Sequence, residues 1–308
     1  MKLIIRRYLK KILFFFIDKV PLKPTEIEKK YYENFIYKLN SLPKVNLNPT
    51  WEKFIGEFYE NVKMHKLNEF IRWPIIYKTM GDSFGLGLIK EFNYVKKHTA
   101  WDEKLKFAII DTGFGYPEPF FLYPKSSGLT IHNLYHILQF QSTTGREISS
   151  FDNIFEFGGG FGNMCRLIHK LGFTGEYTIY DIPEFSCLQK LYLQGHELIS
   201  SKGIDITSDK IKLISTLKES EKGDAQFENN KKTLFIATWS LSESPIDLRE
   251  KILKMLPSEC SFLIAYQSHF DEISNVEYFD NIMNSFNTKK WIKLPIKQLS
   301  GSYYLFGN

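Results

Sequence analysis

The chain has little cysteine. Cys165, Cys187 and Cys260 are scattered through 308 residues, with no C-x-x-C spacing. An odd, dispersed set argues against a disulfide framework and against a zinc site, and fits reduced thiols in a cytosolic protein. Long apolar runs are lacking in the N-terminal segment. Its longest uncharged run, Ile12 to Ile17, is far short of the ~20 residues that cross a bilayer. No small-residue cleavage site follows it, which argues against a secretory signal. Outside the first residues the chain also lacks charge of one sign. Residues 1–24 hold seven Lys or Arg against Asp18, a local charge of +6 in a chain of net +5. The other 284 residues therefore sum to −1. A body this neutral carries no electrostatic footprint for nucleic acid. The composition, 43% hydrophobic and 24% charged, is that of an ordinary globular chain with a core of normal size. It excludes a disordered, collagen-like or polytopic membrane protein.

Residues 2–20 read as a basic amphipathic helix. Arg6, Arg7, Lys10 and Lys11 share a stripe, with Ile5, Tyr8, Leu9, Ile12, Phe15 and Phe16 largely opposite. Such a helix can lie on an anionic inner-membrane surface or pack on its own domain. The chain is expected to be cytoplasmic, with this segment as a possible peripheral contact at the membrane face. Three segments follow from the pattern: 1–24, a mainly helical lobe over 25–145 that caps the acceptor side, and a cofactor-binding domain over 146–308.

In the lobe, Asn48 is placed to cap a helix opened by Pro49, with Trp51, Phe54, Ile55, Phe58 and Val62 at helical spacing. Residues 66–80 read as a further helix interrupted at Pro74, and 107–124 as an irregular loop rich in Gly and Pro. His132 and His136 lie one helical turn apart, a spacing that suits a shared pocket or a metal. With no third ligand nearby, no metal site is assigned.

The informative stretch is FDNIFEF, a short buried strand, running into Gly158-Gly159-Gly160-Phe161-Gly162 and then a helix from Asn163. A strand, a glycine turn and a helix form the architecture that cradles a nucleotide. The next strand ends at Asp181, 23 residues after Gly158, where an acid accepts hydrogen bonds from ribose hydroxyls. The dinucleotide pattern G-x-G-x-x-G fails, because its third glycine falls on Asn163. The pattern E-x-G-x-G-x-G is complete as Glu156, Gly158, Gly160 and Gly162. That is the first motif of Rossmann-like S-adenosylmethionine-dependent methyltransferases, with no pyrophosphate to bind. A second run, Asp111-Thr-Gly113-Phe-Gly115, is followed by Pro117 and Pro119, which open no regular helix. It is rejected as a cofactor site and assigned to the acceptor pocket instead.

Strands expected at 211–215, 233–239, 261–267, 290–296 and 302–306 alternate with helices at 183–199, from Ser244 in a capping-box-like pattern, and at 275–286. The fold class is therefore α/β: a mostly parallel Rossmann-like sheet with a terminal antiparallel strand, preceded by the helical lobe.

Residues 156–193, with E-F-G-G-G-F-G and Y-D-I-P before a helix bearing Leu188, Gln189, Tyr192 and Leu193, resemble the bacterial sugar O-methyltransferases. TWSLSESP, residues 238–245, is similar to that family's segment after the fourth strand. The resemblance is strongest over 150–270. It implies methyl transfer from S-adenosylmethionine to a sugar hydroxyl in surface polysaccharide synthesis. The acceptor is then a nucleotide sugar, a lipid-linked glycan or a polymer. By motif it places cofactor contacts at Glu156, Gly158, Gly160, Gly162 and Asp181, with Gly159, Ile182 and Trp239 beside them. Trp239 can stack on a sugar face or on adenine, or belong to the core. The family carries over no catalytic base. Candidates at the carboxyl ends of the strands are His269, preferred because imidazole titrates near neutrality, then Glu243; His136, in the helical lobe, is a third. Other classes stay open: an O-methyltransferase for another small-molecule hydroxyl, a nicotinamide oxidoreductase disfavoured by the failed glycine, and an inactive membrane-surface binding module.

Overall fold

The computed structural model describes residues 23–43, 47–80, 85–199, 210–216, 231–285 and 289–308. The amphipathic stretch 2–20 lies outside the described residues, as does most of the polar stretch 218–232. Helices α1 (Glu26–Asn40), α2 (Pro49–Met64), α3 (Pro74–Thr79), α4 (Gly85–Lys96) and α5 (Gly128–Thr144) come first. The sheet then begins. Its strands are β1 (Asn153–Phe157), β2 (Glu176–Tyr180), β3 (Ile211–Ile214), β4 (Thr233–Thr238), β5 (Ser261–Gln267), β6 (Trp291–Pro295) and β7 (Ser302–Gly307). Between them run α6 (Asn163–Lys170), α7 (Pro183–Gly195), α8 (Ile246–Lys254) and α9 (Asn275–Ser285).

The strand order is β6-β7-β5-β4-β1-β2-β3. Strands β1 to β5 are parallel, and β7 runs antiparallel to both β5 and β6. This is the Rossmann-like sheet expected from the sequence, with its reversed terminal strand. β1 is buried at all five residues, as a central parallel strand covered on both faces must be. One apolar cluster runs from Tyr32 in α1 to Phe306 in β7, so the helical lobe and the sheet share a core. A second cluster, around Phe155, Phe235 and Phe262, fills the opposite face under α8 and α9.

The caps explain the helix starts. Asn48 accepts a hydrogen bond from the Trp51 amide at 2.8 Å, with Pro49 at the first helical position. Other expectations shift. Residues 66–80 split into a 3-10 turn, Leu67–Arg72, and α3, because Pro74 cannot continue the first piece. α7 ends at Gly195 rather than 199, since Glu197 takes a left-handed φ of 58°. The stretch 107–124 is not wholly irregular: Pro119–Phe120 pairs with Tyr123–Ser127 as a small hairpin. The capping box at Ser244 does not form. Pro245 caps α8, and the Ser244 hydroxyl instead donates to the Ser240 carbonyl at 2.9 Å.

Candidate active site

After Phe157 the chain turns through five residues before α6. Gly158, Gly160 and Gly162 have φ of 73°, 57° and 95°, a region that a Cβ penalises. Gly158 has a second reason to be glycine. A Cβ there would stand 2.2 Å from the Ser240 Cβ, so the turn passes tightly beneath the segment leaving β4. The Ser240 hydroxyl donates to the Phe157 carbonyl and holds the two segments together. Gly162 is the cap residue of α6 and does not line the cavity described below. Asn163, where the dinucleotide pattern fails, opens the helix.

Two buried carboxyl groups flank this turn. Glu156 is 3% exposed and accepts from the Tyr177 hydroxyl at 2.8 Å. Asp181 accepts from the amides of Ile182 (2.8 Å) and Gly160 (3.2 Å) and from Gln189 Nε2 (2.7 Å). Among the described residues neither has a cationic partner. Burial pushes Glu156 up to about 8, with the nearby Asp181 adding to it and the tyrosine bond opposing. Burial likewise pushes Asp181 up to about 7, against the hydrogen bonds it accepts from Ile182, Gln189, Gly160 and Gly159. An acid pair buried without a cation is electrostatically incomplete, and a cationic ligand completes it.

Both acids line a cavity of about 630 Å³ at the carboxyl ends of β1, β2 and β4. That is ample for a cofactor and part of an acceptor on the usual scale of about 300–1,000 Å³. The Asn163 side-chain nitrogen, buried on the same wall, has no hydrogen-bond partner among the described residues and can donate to a ligand. The glycine turn, the two acids and this orphan donor fit S-adenosylmethionine, with its ammonium, positive sulfur and ribose hydroxyls. Gly158, Gly159, Gly160, Ile182 and Trp239 also line the cavity.

The far wall comes from the helical lobe and α5: Trp51, Tyr77, Met80, His132, Asn133 and His136. Trp239 follows β4 with φ 66°, an unusual backbone for a bulky residue, which places it against both histidine rings (5.6 and 5.3 Å between centroids). The two histidines are hydrogen-bonded, Nε2 to Nε2 at 2.9 Å. His136 Nδ1 meets the Tyr304 hydroxyl at 2.5 Å, and His132 Nδ1 meets Glu91 Oε2 at 2.8 Å.

The expected base His269 is elsewhere. It lies on a short hairpin after β5, exposed and outside the cavity. Asp271 turns that hairpin away at φ 47°. Glu243 does line the cavity, accepts from Gln267 Nε2 at 3.4 Å, and is pushed up to about 7 chiefly by burial. The segment Asp111–Gly115 does not line the acceptor pocket as expected. Instead Asp111 pairs with the fully buried Arg166 at 2.7 Å and anchors the start of α5 through the Ser127 amide at 2.6 Å. Sequence reasoning missed Asn163 and Gln189, although both lie within the motif region, and missed Glu91, which carries no local signal.

No family model matches this chain, and no curated protein matches it. Solved structures do. A SAM-dependent methyltransferase from Aquifex aeolicus aligns at 9% identity and TM-score 0.41, over 70% of this chain and 97% of its own. An SAH-bound Podospora anserina methyltransferase aligns at 11% and 0.37, over 86% and 98%. Human N-acetylserotonin methyltransferase in complex with SAM aligns at 11% and 0.35, over 92% and 69%. The strand order itself is that of a Rossmann-like sheet with a reversed terminal strand. Among the described residues no helix is long and apolar enough to cross a membrane.

The raised carboxyl groups make a pH prediction. Their folded-state values lie above their unfolded ones, so the native state holds extra protons between about pH 4 and pH 8. Stability of the ligand-free protein is therefore expected to fall as pH rises through that window. A cation bound beside them reverses the shift. Binding of S-adenosylmethionine at pH 7 is expected to release on the order of one proton. Calorimetry in Tris and in phosphate reads this as a buffer-dependent heat; equal heats would contradict it.

Proposed function

We propose that this chain is an S-adenosylmethionine-dependent O-methyltransferase acting on a sugar hydroxyl in the synthesis of a surface glycan. The observation that carries the reading is the pair of buried acids, Glu156 and Asp181, beside the glycine turn, with no cationic partner among the described residues. They share one cavity with a polar and aromatic acceptor wall. The cofactor, when bound, supplies an electrophilic methyl group on a sulfonium. Asp181 would hold the ribose, and Glu156 would neutralise the ammonium end, directly or through the loop. Trp51, Tyr77 and Trp239 offer ring faces of the kind sugars stack on, and Asn133 offers an amide group to fix hydroxyls. The chain's task is then to hold the acceptor oxygen in line at about 3–3.5 Å and to remove its proton. Glu243 and His136, at the cavity wall, are the groups available from the original candidates.

Sequence similarity over 156–193 and 238–245 favours sugar over other hydroxyls. A nucleotide sugar, a lipid-linked glycan and a polymer all remain acceptors of the right chemistry. Contact of residues 2–20 with the inner membrane face would favour the second. The test is transfer of a labelled methyl group to UDP-glucose, GDP-mannose and methyl glycosides, run against catechol as a phenolic acceptor. Labelled sugar is the expected product. Label on catechol alone would contradict the sugar assignment and favour another small-molecule hydroxyl.

A further inference from the structure

We propose that His132 is the general base of this site, positioned by Glu91 and backed by His136, so that the acceptor's proton enters a buried relay running through α4 and α5. The proposal rests on the methyl-transfer reading above and adds the residues that complete it.

The relay spans three elements. Tyr304 on β7 meets His136 Nδ1, His136 Nε2 meets His132 Nε2, and His132 Nδ1 meets Glu91 Oε2 on α4. Gln298 Nε2 donates to the other Glu91 oxygen at 2.6 Å. Glu91 is 2% exposed and the two histidines 6% and 0%. The tautomers follow from the ends of the chain. The Glu91 carboxylate only accepts, so His132 carries its proton on Nδ1 and presents a bare Nε2. His136 then donates from Nε2 to His132, which leaves its Nδ1 to accept from the Tyr304 hydroxyl. One direction of donation satisfies every link.

The chemistry of the two histidines differs for the same reason. Burial, with His132 adding to it, holds His136 well below the ordinary histidine range, so it stays a neutral donor. His132 has an anion behind it, and a proton arriving at its Nε2 forms an imidazolium stabilised across the Nδ1–Glu91 bond. Both rings line the cavity and pack on Trp239, next to the glycine turn. A bound hydroxyl would replace the His132–His136 bond, donating to His132 Nε2 while accepting from His136 Nε2–H. As the oxygen's electron pair forms the O–C bond and the C–S pair returns to sulfur, the hydroxyl proton passes to His132 Nε2. Glu91 touches no reactant and is a positioning residue.

The tautomers are readable without any acceptor. Nitrogen-15 NMR of histidine-labelled protein, assigned through His132→Gln and His136→Gln, is expected to show His132 protonated at Nδ1 and His136 at Nε2 near pH 7. The opposite pattern at His132 overturns the proposal, whether or not the protein transfers methyl groups. With the best sugar of the acceptor panel, Glu91→Gln, which keeps the shape and one acceptor for His132 Nδ1–H but loses the charge, is expected to lower kcat about 10²-fold. KM and the affinity for S-adenosylhomocysteine should stay within about twofold. A kcat within threefold of wild type would overturn the role of Glu91. If S-adenosylhomocysteine fails to bind the wild-type protein, the methyl-transfer reading fails, while the NMR pattern still decides how the relay is arranged.

Discussion

Asp181→Ala is expected to weaken S-adenosylhomocysteine binding by at least about 100-fold. A carboxylate that accepts from two ribose hydroxyls contributes roughly 1.5–3 kcal/mol per bond, and each 1.4 kcal/mol is a factor of ten. The loss has a second source in the protein itself. Asp181 also holds the Gly160 amide and Gln189 Nε2, so its removal loosens the turn that the cofactor crosses. Equilibrium dialysis with labelled S-adenosylhomocysteine measures the effect. Asp181→Asn separates the two sources, since it keeps an acceptor for the Gly160 amide but loses the charge. Affinity within threefold of wild type in the alanine variant would mean that the acid at the end of β2 does not touch the ligand.

The largest effect on stability is expected from Asp111→Ala, at about 3–5 kcal/mol. Arg166 has no exposed surface, and its guanidinium meets Asp111, the Ile110 carbonyl, Thr130 and Asn163. Removing the carboxylate leaves a buried cation without its anion. It also releases the Ser127 amide and the Thr130 hydroxyl at the start of α5. Thermal unfolding is expected to shift down by about 10 °C, at roughly 2–4 °C per kcal/mol for a chain of this size. The exposed pair Lys106–Asp102 is the control: Asp102→Ala should cost less than about 1 kcal/mol. Because α5 carries His132 and His136, loosening its anchor should also disturb the histidine relay, which links this stability effect to the site.

The sheet was legible because its signals are local. Apolar strands, glycine turns and helical spacing recur over five to fifteen residues, and the edges fell within a few positions of the expected ones. The cofactor side was legible for the same reason: Glu156, the glycines and Asp181 lie within 26 residues of one another. The acceptor side was not. His269 had the right chemistry after the right strand, yet a six-residue hairpin turned at Asp271 carries it out of the cavity. Glu91 and His132 are 41 residues apart, and no periodicity joins them; α4 and α5 must pack before they meet. For Trp239 the sequence leaves stacking and the core both open; its positive φ of 66°, which seats it on the histidines, has no signature in a bulky residue. The Asp111 run looked like a site because it repeats an acid-and-glycine pattern. Its acid serves a buried arginine 55 residues away.

Calorimetric titration of the purified protein with S-adenosylhomocysteine, with NAD as the parallel ligand, tests the cofactor assignment most directly. One-to-one binding of S-adenosylhomocysteine and none of NAD is the expected result. Folded protein that binds NAD, or neither ligand, would contradict it.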